Sequence, residues 1–312
     1  MLRYCDHHHF FLPDGHKFPL TKYRLLRERL QGDSRFRLEP SELVSRAAVL
    51  RVHEPNYANG FLTGTLEPQV MRRIGFPWSP ELVTRTLASA GGTLLAARTA
   101  LQTGFGGTLA GGTHHAFRDA GSGFCIFNDL AIAIGWARAE AGIERAAVVD
   151  LDVHQGDGTA AIFGGNPGVF TLSVHGARNF PFRKQTSTLD LELPDYTDDK
   201  TYLAALQPAL QRVWDFAPQL LLFQAGVDLL SSDRLGRLAL TLPGLLERDS
   251  LVIGEAYRRG IPLVITIGGG YSDPIEQTVV AHAQTFQTAA AIYFGDPTEP
   301  PCSFHPKSMP EL

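Results

Sequence analysis

The chain has 312 residues, is 44% hydrophobic and 19% charged, and carries 28 basic against 32 acidic residues, a formal net charge of −4. That balance excludes a predominantly basic nucleic-acid or membrane-surface binder and leaves room only for a local basic groove. Cys5, Cys125 and Cys302 lie far apart with no CxxC pair, so neither a disulfide framework nor a thiolate zinc site is expected, and a reducing cytoplasm is the expected location. No apolar run reaches transmembrane length, and the N-terminus lacks the basic-then-apolar pattern of a signal peptide.

In chain order, the first 80 residues read as irregular, with turn clusters LPDGHKFP (12–19) and RRIGFPWSP (72–80), and are expected to pack as loops on a sheet. SPELVTRTLASAGGTLLAARTALQTG (79–104) opens on a Ser-Pro-Glu cap signal and continues as a helix. A helical pattern over 129–142 precedes the apolar strand AAVVDLD (146–152), and VFTLSV (169–174) is a second strand. Helices over 199–216 and 243–260 then alternate with strands QLLLFQA (219–225) and PLVITIGGG (262–270). Strands apolar on both faces, separated by helices, predict an α/β fold with a mostly parallel open sheet and helices on both faces. A single domain over 1–312 is expected, with the proline-rich tail 295–312 extended over its surface. Such sheets bind ligands at the carboxyl ends of their strands.

The stretch VVDLDVHQGDGT (148–159) carries Asp150, Asp152 and His154 at alternating positions where the apolar strand meets a turn. Buried carboxylates need a cation or strong hydrogen-bond donors. Asp-x-His offers one oxygen and one nitrogen ligand in the same direction, which suits zinc. QLLLFQAGVD supplies Asp228 from another strand end as a third ligand, and two Asp with one His leave an open position on a tetrahedral ion. GGTHHAF (111–117) sets His114 beside His115; both can face one site only from a loop, and each needs a carboxylate on its outer nitrogen. Asp150 and Asp157 suit that purpose in number and place. PLVITIGGGY ends on Tyr271, a phenol able to donate to a developing oxyanion. GGGY has no P-loop lysine, and GFGGTLAGG (104–112) does not fit GxGxxG, so nucleotide binding is not expected.

GGTHHAF, GSGFC, DLDVHQGDG, QAGVD and GGGY, in this order and over nearly the whole chain, resemble the zinc-dependent histone deacetylase family of the arginase/deacetylase fold. DLDVHQGDG with DLLSSDRLGRLALT (228–241) is most similar to the class IV branch and its bacterial relatives. The resemblance implies that Asp152, His154 and Asp228 hold zinc, that His114 and His115 are backed by Asp150 and Asp157 respectively, and that Tyr271 polarises the scissile carbonyl. It also implies a narrow acyl-lysine tunnel lined at Gly123, Phe124 and Phe180. A structural potassium ion is implied at Asp150, Asp152, His154, Ser173 and Val174, and a second cation near Phe163, Asn166 and Val169. The implied activity is zinc-dependent removal of acetyl or longer acyl groups from lysine side chains of proteins, with His115 as general base.

Many peptide-acting relatives carry a rim aspartate before the long helix, whereas RRIGFPWSP has no acid before Glu81. A small acylated amine, as in an acetylpolyamine amidohydrolase, is therefore an alternative substrate. DHHHFFLPDGHKFPLTKY (6–23), with His7, His8 and His9, is expected to form part of the rim, while His16, His53, His175 and His282 have no evident partner. A catalytically silent metal-binding module is the alternative outside enzymes. A binuclear ureohydrolase would need a second cluster of ligating acids, which the sequence lacks.

Overall fold

The computed structural model describes residues 1–295. Its strands are β1 (Leu2–Tyr4), β2 (Leu38–Pro40), β3 (Phe105–Thr108), β4 (Ala146–Asp150), β5 (Val169–Gly176), β6 (Leu189–Leu193), β7 (Leu220–Gln224) and β8 (Leu263–Thr266). Together they form one sheet in the order β2-β1-β3-β8-β7-β4-β5-β6, with every neighbouring pair parallel. The helices are α1 (Thr21–Gln31), α2 (Arg46–Leu50), α3 (Pro55–Thr63), α4 (Pro68–Ile74), α5 (Pro80–Thr103), α6 (Asp129–Glu140), α7 (Asp157–Phe163), α8 (Asp199–Asp215), α9 (Leu242–Arg258) and α10 (Glu276–Phe294).

Side chains alternate across the central strands, and each set has its own helical cover. Val149, Phe223 and Ile265 pack in a cluster with Leu26 of α1, Leu206 of α8, Val252 of α9 and Phe286 of α10. Val148, Leu222 and Val264 pack on the opposite face with Ala96 of α5 and Leu130 and Ile134 of α6. These strand residues are fully buried, and each such side chain contributes about 1.5–3 kcal/mol. Side-chain caps fix the helix starts. Ser79 Oγ accepts from Leu82 N–H at 3.1 Å, and Asp198 Oδ1 accepts from Thr201 N–H at 2.9 Å.

The α/β architecture matches the expectation, and the parallel pairing extends to the whole sheet. Several elements differ. The first 80 residues are not loops: they hold two strands and four helices. Three of those helices are nine residues or shorter, and α3 and α4 begin at proline and end before a left-handed glycine, Gly64 and Gly75. Pro and Gly at helix ends read locally as turn signals. Strand β3 hides in FGGT, where glycine replaces the expected β-branched residues because α5 lies directly on it; a Cβ on Gly106 would meet the Ala96 carbonyl oxygen at 2.1 Å. Buried Thr278, Thr285 and Thr288 dilute the apolar periodicity of α10. The expected tail lies outside the described residues beyond Gly295. Among the described residues, no helix is long and apolar enough to cross a membrane.

Register decides where the chemistry sits. Asp150, the last residue of β4, pairs with Gln224 of β7, and Gln224 pairs with Thr266 of β8. The chain segments leaving these three strands therefore emerge side by side at one edge of the sheet.

Candidate active site

Strand β4 ends at Asp150 rather than at the expected residue 152. The reason is local. Asp152 N–H turns back to Asp150 Oδ1 at 3.2 Å, which takes the backbone out of the ladder. Asp152 and His154 thus stand on the loop just past the strand, and Asp228 stands on the loop that follows β7. One ligand atom from each of the three lies within 4.8 Å of the other two. His154 Nδ1 is 3.0 Å from Asp152 Oδ1 and 3.1 Å from Asp228 Oδ2.

The remaining carboxylate oxygens are held by backbone donors. Asp152 Oδ2 accepts from Gly269 N–H at 2.7 Å, and Asp228 Oδ1 accepts from Val153 N–H at 2.9 Å. Beneath them, the fully buried Arg248 donates to Gly226 O at 2.6 Å and Leu151 O at 3.3 Å, and pairs with Asp249. It thereby ties together the two loops that carry the ligands.

Ligands about 2.0–2.1 Å from a tetrahedral zinc stand about 3.3 Å from one another, close to the spacing found. Burial and the charge on Asp152 raise the Asp228 pKa. His154 is raised too: burial opposes its charge, but the two carboxylates outweigh that. The cluster therefore retains a proton to offset its negative charge, and a dication can replace that proton. The donor set fits zinc.

The histidine pair lies on the loop 111–117, with ring centroids 4.1 Å apart. His114 Nδ1 is 2.8 Å from Asp150 Oδ2, and His115 Nδ1 is 2.6 Å from Asp157 Oδ1, so each ring turns its Nε2 away from its carboxylate. Burial alone would lower the His114 pKa, but Asp150 and Asp152 raise it to about 9. Burial and the neighbouring His114 charge push His115 down to about 4 against the pull of Asp157. A dication at the triad would lower both by repulsion.

Tyr271 faces the same cavity, with its backbone N–H held by Asp233 Oδ2 at 2.6 Å. Burial, then Tyr23, Cys125 and the ligand carboxylates, raise its phenol well above the ordinary range, so it is a donor. The cavity encloses about 980 Å³. Phe124 and Phe180 line it; the Phe180 ring lies edge-on to His115 at 4.9 Å. Phe124 adopts φ 65°, a costly conformation outside glycine, and its N–H is pinned by Ile74 O at 2.8 Å. Gly123 precedes it at φ 53°, where a Cβ would come 2.8 Å from His115 Cδ2 and crowd that ring.

Of the residues expected for potassium, Asp150 and Ser173 are paired by register across β4 and β5. Phe163, Asn166 and Val169 mark two successive turns, in which Asn166 N–H donates to Phe163 O and Val169 N–H to Asn166 O.

Sequence reasoning missed three buried residues around the site. Lys22 donates to Gly268 O at 3.1 Å and lies 5.3 Å from the Tyr271 ring; burial pushes its amine down to about 8, with Asp228 and Asp152 opposing. Arg85 stacks on Tyr23 and donates to Cys5 Sγ. Asp129 anchors the histidine loop. Each lies in a helix beside other polar residues, Lys22 after Thr21, Arg85 between Thr84 and Thr86, and Asp129 after Asn128, so each reads as part of a solvated helix face. Of the histidines without an evident partner in the sequence, His16 and His53 find structural places. His16 Nε2 meets Gly75 O at 2.8 Å, fixing part of the 6–23 segment, and His53 bridges two loops. The His7 and His8 rings lie 4.1 Å apart, tilted by 41°, and His8 and His9 line a separate small pocket.

A sequence profile of the histone deacetylase domain matches residues 16–286. The chain is 46% identical over 286 residues to an uncharacterised protein of Picosynechococcus, covering 90% of this chain and 95% of that one. It is 31% identical over 244 residues to histone deacetylase 2 of Arabidopsis thaliana, covering 75% of this chain but 63% of the plant protein, and so spans a little under two thirds of that relative. Among solved structures, the HDA15 HD domain superposes with a TM-score of 0.77 at 21% identity, over 95% of this chain and 91% of that chain. An acetylpolyamine aminohydrolase from Burkholderia pseudomallei gives 0.74 at 23% identity, over 94% and 99%. These two structures share its parallel-sheet α/β fold. The chain belongs to the histone deacetylase family.

Proposed function

We propose that this protein is a zinc-dependent amidohydrolase that removes acyl groups, acetyl or longer, from the lysine side chains of proteins. The observation that carries this reading is the convergence of the Asp152–His154–Asp228 cluster, two carboxylate-backed histidines and Tyr271 on one cavity. Zinc held by Asp152, His154 and Asp228 would supply Lewis-acid polarisation of the amide carbonyl and a lowered pKa for the attacking water.

The residues divide the remaining work. His115, neutral and oriented by Asp157, takes a proton from the water as its oxygen attacks the carbonyl carbon. Tyr271 donates to the carbonyl oxygen as negative charge develops there. His115 then returns the proton to the amine nitrogen as the carbon–nitrogen bond breaks, and the carboxylic acid so formed passes its remaining proton to the amine, leaving a carboxylate and an ammonium. His114, bonded to Asp150, adds electrostatic stabilisation. Phe124 and Phe180 enclose the uncharged stem of the acyl-lysine. A potassium ion beside Asp150, Asp152, His154, Ser173 and Val174 would steady the β4–β5 edge, and Phe163, Asn166 and Val169 are the second such place. The full complement of groups speaks against a silent binding module, and the described residues hold a single three-ligand cluster, against a binuclear ureohydrolase. Acylated polyamines are the second enzymatic reading, because one neighbour in fold bears that name. Buried free Cys5 and Cys125 accord with a cytoplasmic setting.

The test is a panel of acyl-lysine peptides of increasing acyl length and acylated polyamines, with and without a zinc chelator. Chelator-sensitive release of carboxylate from the peptides is expected. Hydrolysis of none of them overturns the proposal.

A further inference from the structure

Four arginines stand round the mouth of the cavity: Arg73 at the end of α4, Arg178 and Arg183 between β5 and β6, and Arg237 between β7 and α9. They come from three separate segments, and all four are exposed. Offsetting charge is slight. Asp195 lies 3.7 Å from Arg178 and 3.1 Å from Arg237, one carboxylate for two guanidinium groups. The acids that line the cavity, Asp152 and Asp157, are buried and engaged with histidines. In a chain of net charge −4 this ring is a local reversal of sign. Apolar surface is interleaved with it: Phe182 is 89% exposed, and Leu235 lies on the same mouth.

We propose that this mouth selects acyl-lysines flanked by carboxylates and turns away polycationic substrates such as acylated polyamines. The inference rests on the hydrolase reading above and names its substrate class. Guanidinium groups recognise carboxylates through paired hydrogen bonds. Charges on the rim of a binding site act mainly on association and fade as salt screens them. A second ammonium entering this ring would meet like charge on several sides, whereas a glutamate beside the acyl-lysine would meet attraction.

The experiment compares the zinc-loaded protein on three acetyl-lysine peptides identical but for flanking Glu, Gln or Lys, and on acetylspermidine, at low salt and at about 0.5 M salt. The triple variant Arg178→Gln/Arg183→Gln/Arg237→Gln and the single reversal Arg183→Glu are measured alongside, with thermal unfolding to report their folding. The kcat/KM of the Glu peptide should exceed that of the Lys peptide by about tenfold, with acetylspermidine poorest. The ratio should shrink toward one at high salt and in both variants. A ratio at or below one, or one that neither salt nor substitution moves, overturns the inference. Should no substrate be turned over, the hydrolase reading fails, and anisotropy of labelled Glu and Lys peptides then decides this point by itself. Tighter binding of the Glu peptide that the triple variant loses upholds the selective mouth; equal binding overturns it.

Discussion

Asp129 grips Thr113 twice: its Oδ1 accepts the Thr113 backbone N–H at 2.7 Å and the Thr113 hydroxyl at 2.6 Å. Its Oδ2 accepts Gly112 N–H at 2.9 Å and the hydroxyl of Thr93 from α5. The carboxylate is fully buried and belongs to the first turn of α6, so it fastens the histidine loop to both helices on that face of the sheet. Asp129→Ala would strand buried donors at a cost of about 1–3 kcal/mol each and let His114 and His115 drift. A Tm lower by about 5 °C or more is expected, together with a kcat reduced by about 10- to 100-fold and a smaller change in KM. A variant with native kcat would show that the loop holds its shape without this anchor.

Loss of the metal should weaken the fold as well as the chemistry. Asp152 and Asp228 are buried, and a cation bound only by the folded chain stabilises it by about 3 kcal/mol at a hundredfold excess over its Kd. Dialysis against a chelator should therefore lower the Tm, and added zinc should restore it. His154→Ala should retain less than stoichiometric zinc by elemental analysis and show no such response. Unchanged Tm on chelation, with no zinc found in the native protein, would remove the metal from the proposed mechanism.

What the sequence made legible was the chemistry that is local in the chain. DLDVHQGDG places Asp150, Asp152, His154 and Asp157 within eight residues, and the strand-to-turn boundary announces where they point. Asp228 and Tyr271 follow the same logic at neighbouring strand ends. Long-range pieces stayed hidden. Lys22 reaches Gly268 from the other end of the sequence, and Asp129 looks like an ordinary first-turn acid until the loop it fastens is known. The mouth arginines span residues 73 to 237, and no linear pattern marks them. Strand β6 reads LDLEL, an edge strand whose half-polar alternation carries little apolar signal.

Removing the Tyr271 hydroxyl isolates one donor. With its backbone held by Asp233 and its ring beside the Lys22 amine, Tyr271→Phe should leave the loop in place. Turnover of an acetyl-lysine peptide should fall by about 100- to 1,000-fold while zinc content stays native. His115→Ala should fall at least as far, since it removes the proton acceptor. Near-native turnover in either variant would reassign that role.

Acid stability offers a test that does not depend on catalysis. His53 is buried, with Nδ1 2.9 Å from Phe117 O and Nε2 accepting from Asn128 N–H at 2.9 Å. Those partners call for the neutral ring with its proton on Nδ1, and burial lowers its pKa from 6.5 to about 4. The unfolded chain therefore binds the extra proton between those values, and the folded chain does not. The contribution is complete above pH 6.5, declines as pH falls toward 4, and is gone below it; its size is on the order of 3 kcal/mol. His175, His115 and His282 are depressed in the same direction by burial, so His53 accounts for one part of the acid loss. His53→Gln keeps a donor and an acceptor but cannot titrate. Urea unfolding from pH 8 to pH 4 should show a shallower acid decline in this variant than in the native protein. Parallel declines would mean that His53 titrates normally and that its two hydrogen bonds do not hold it neutral.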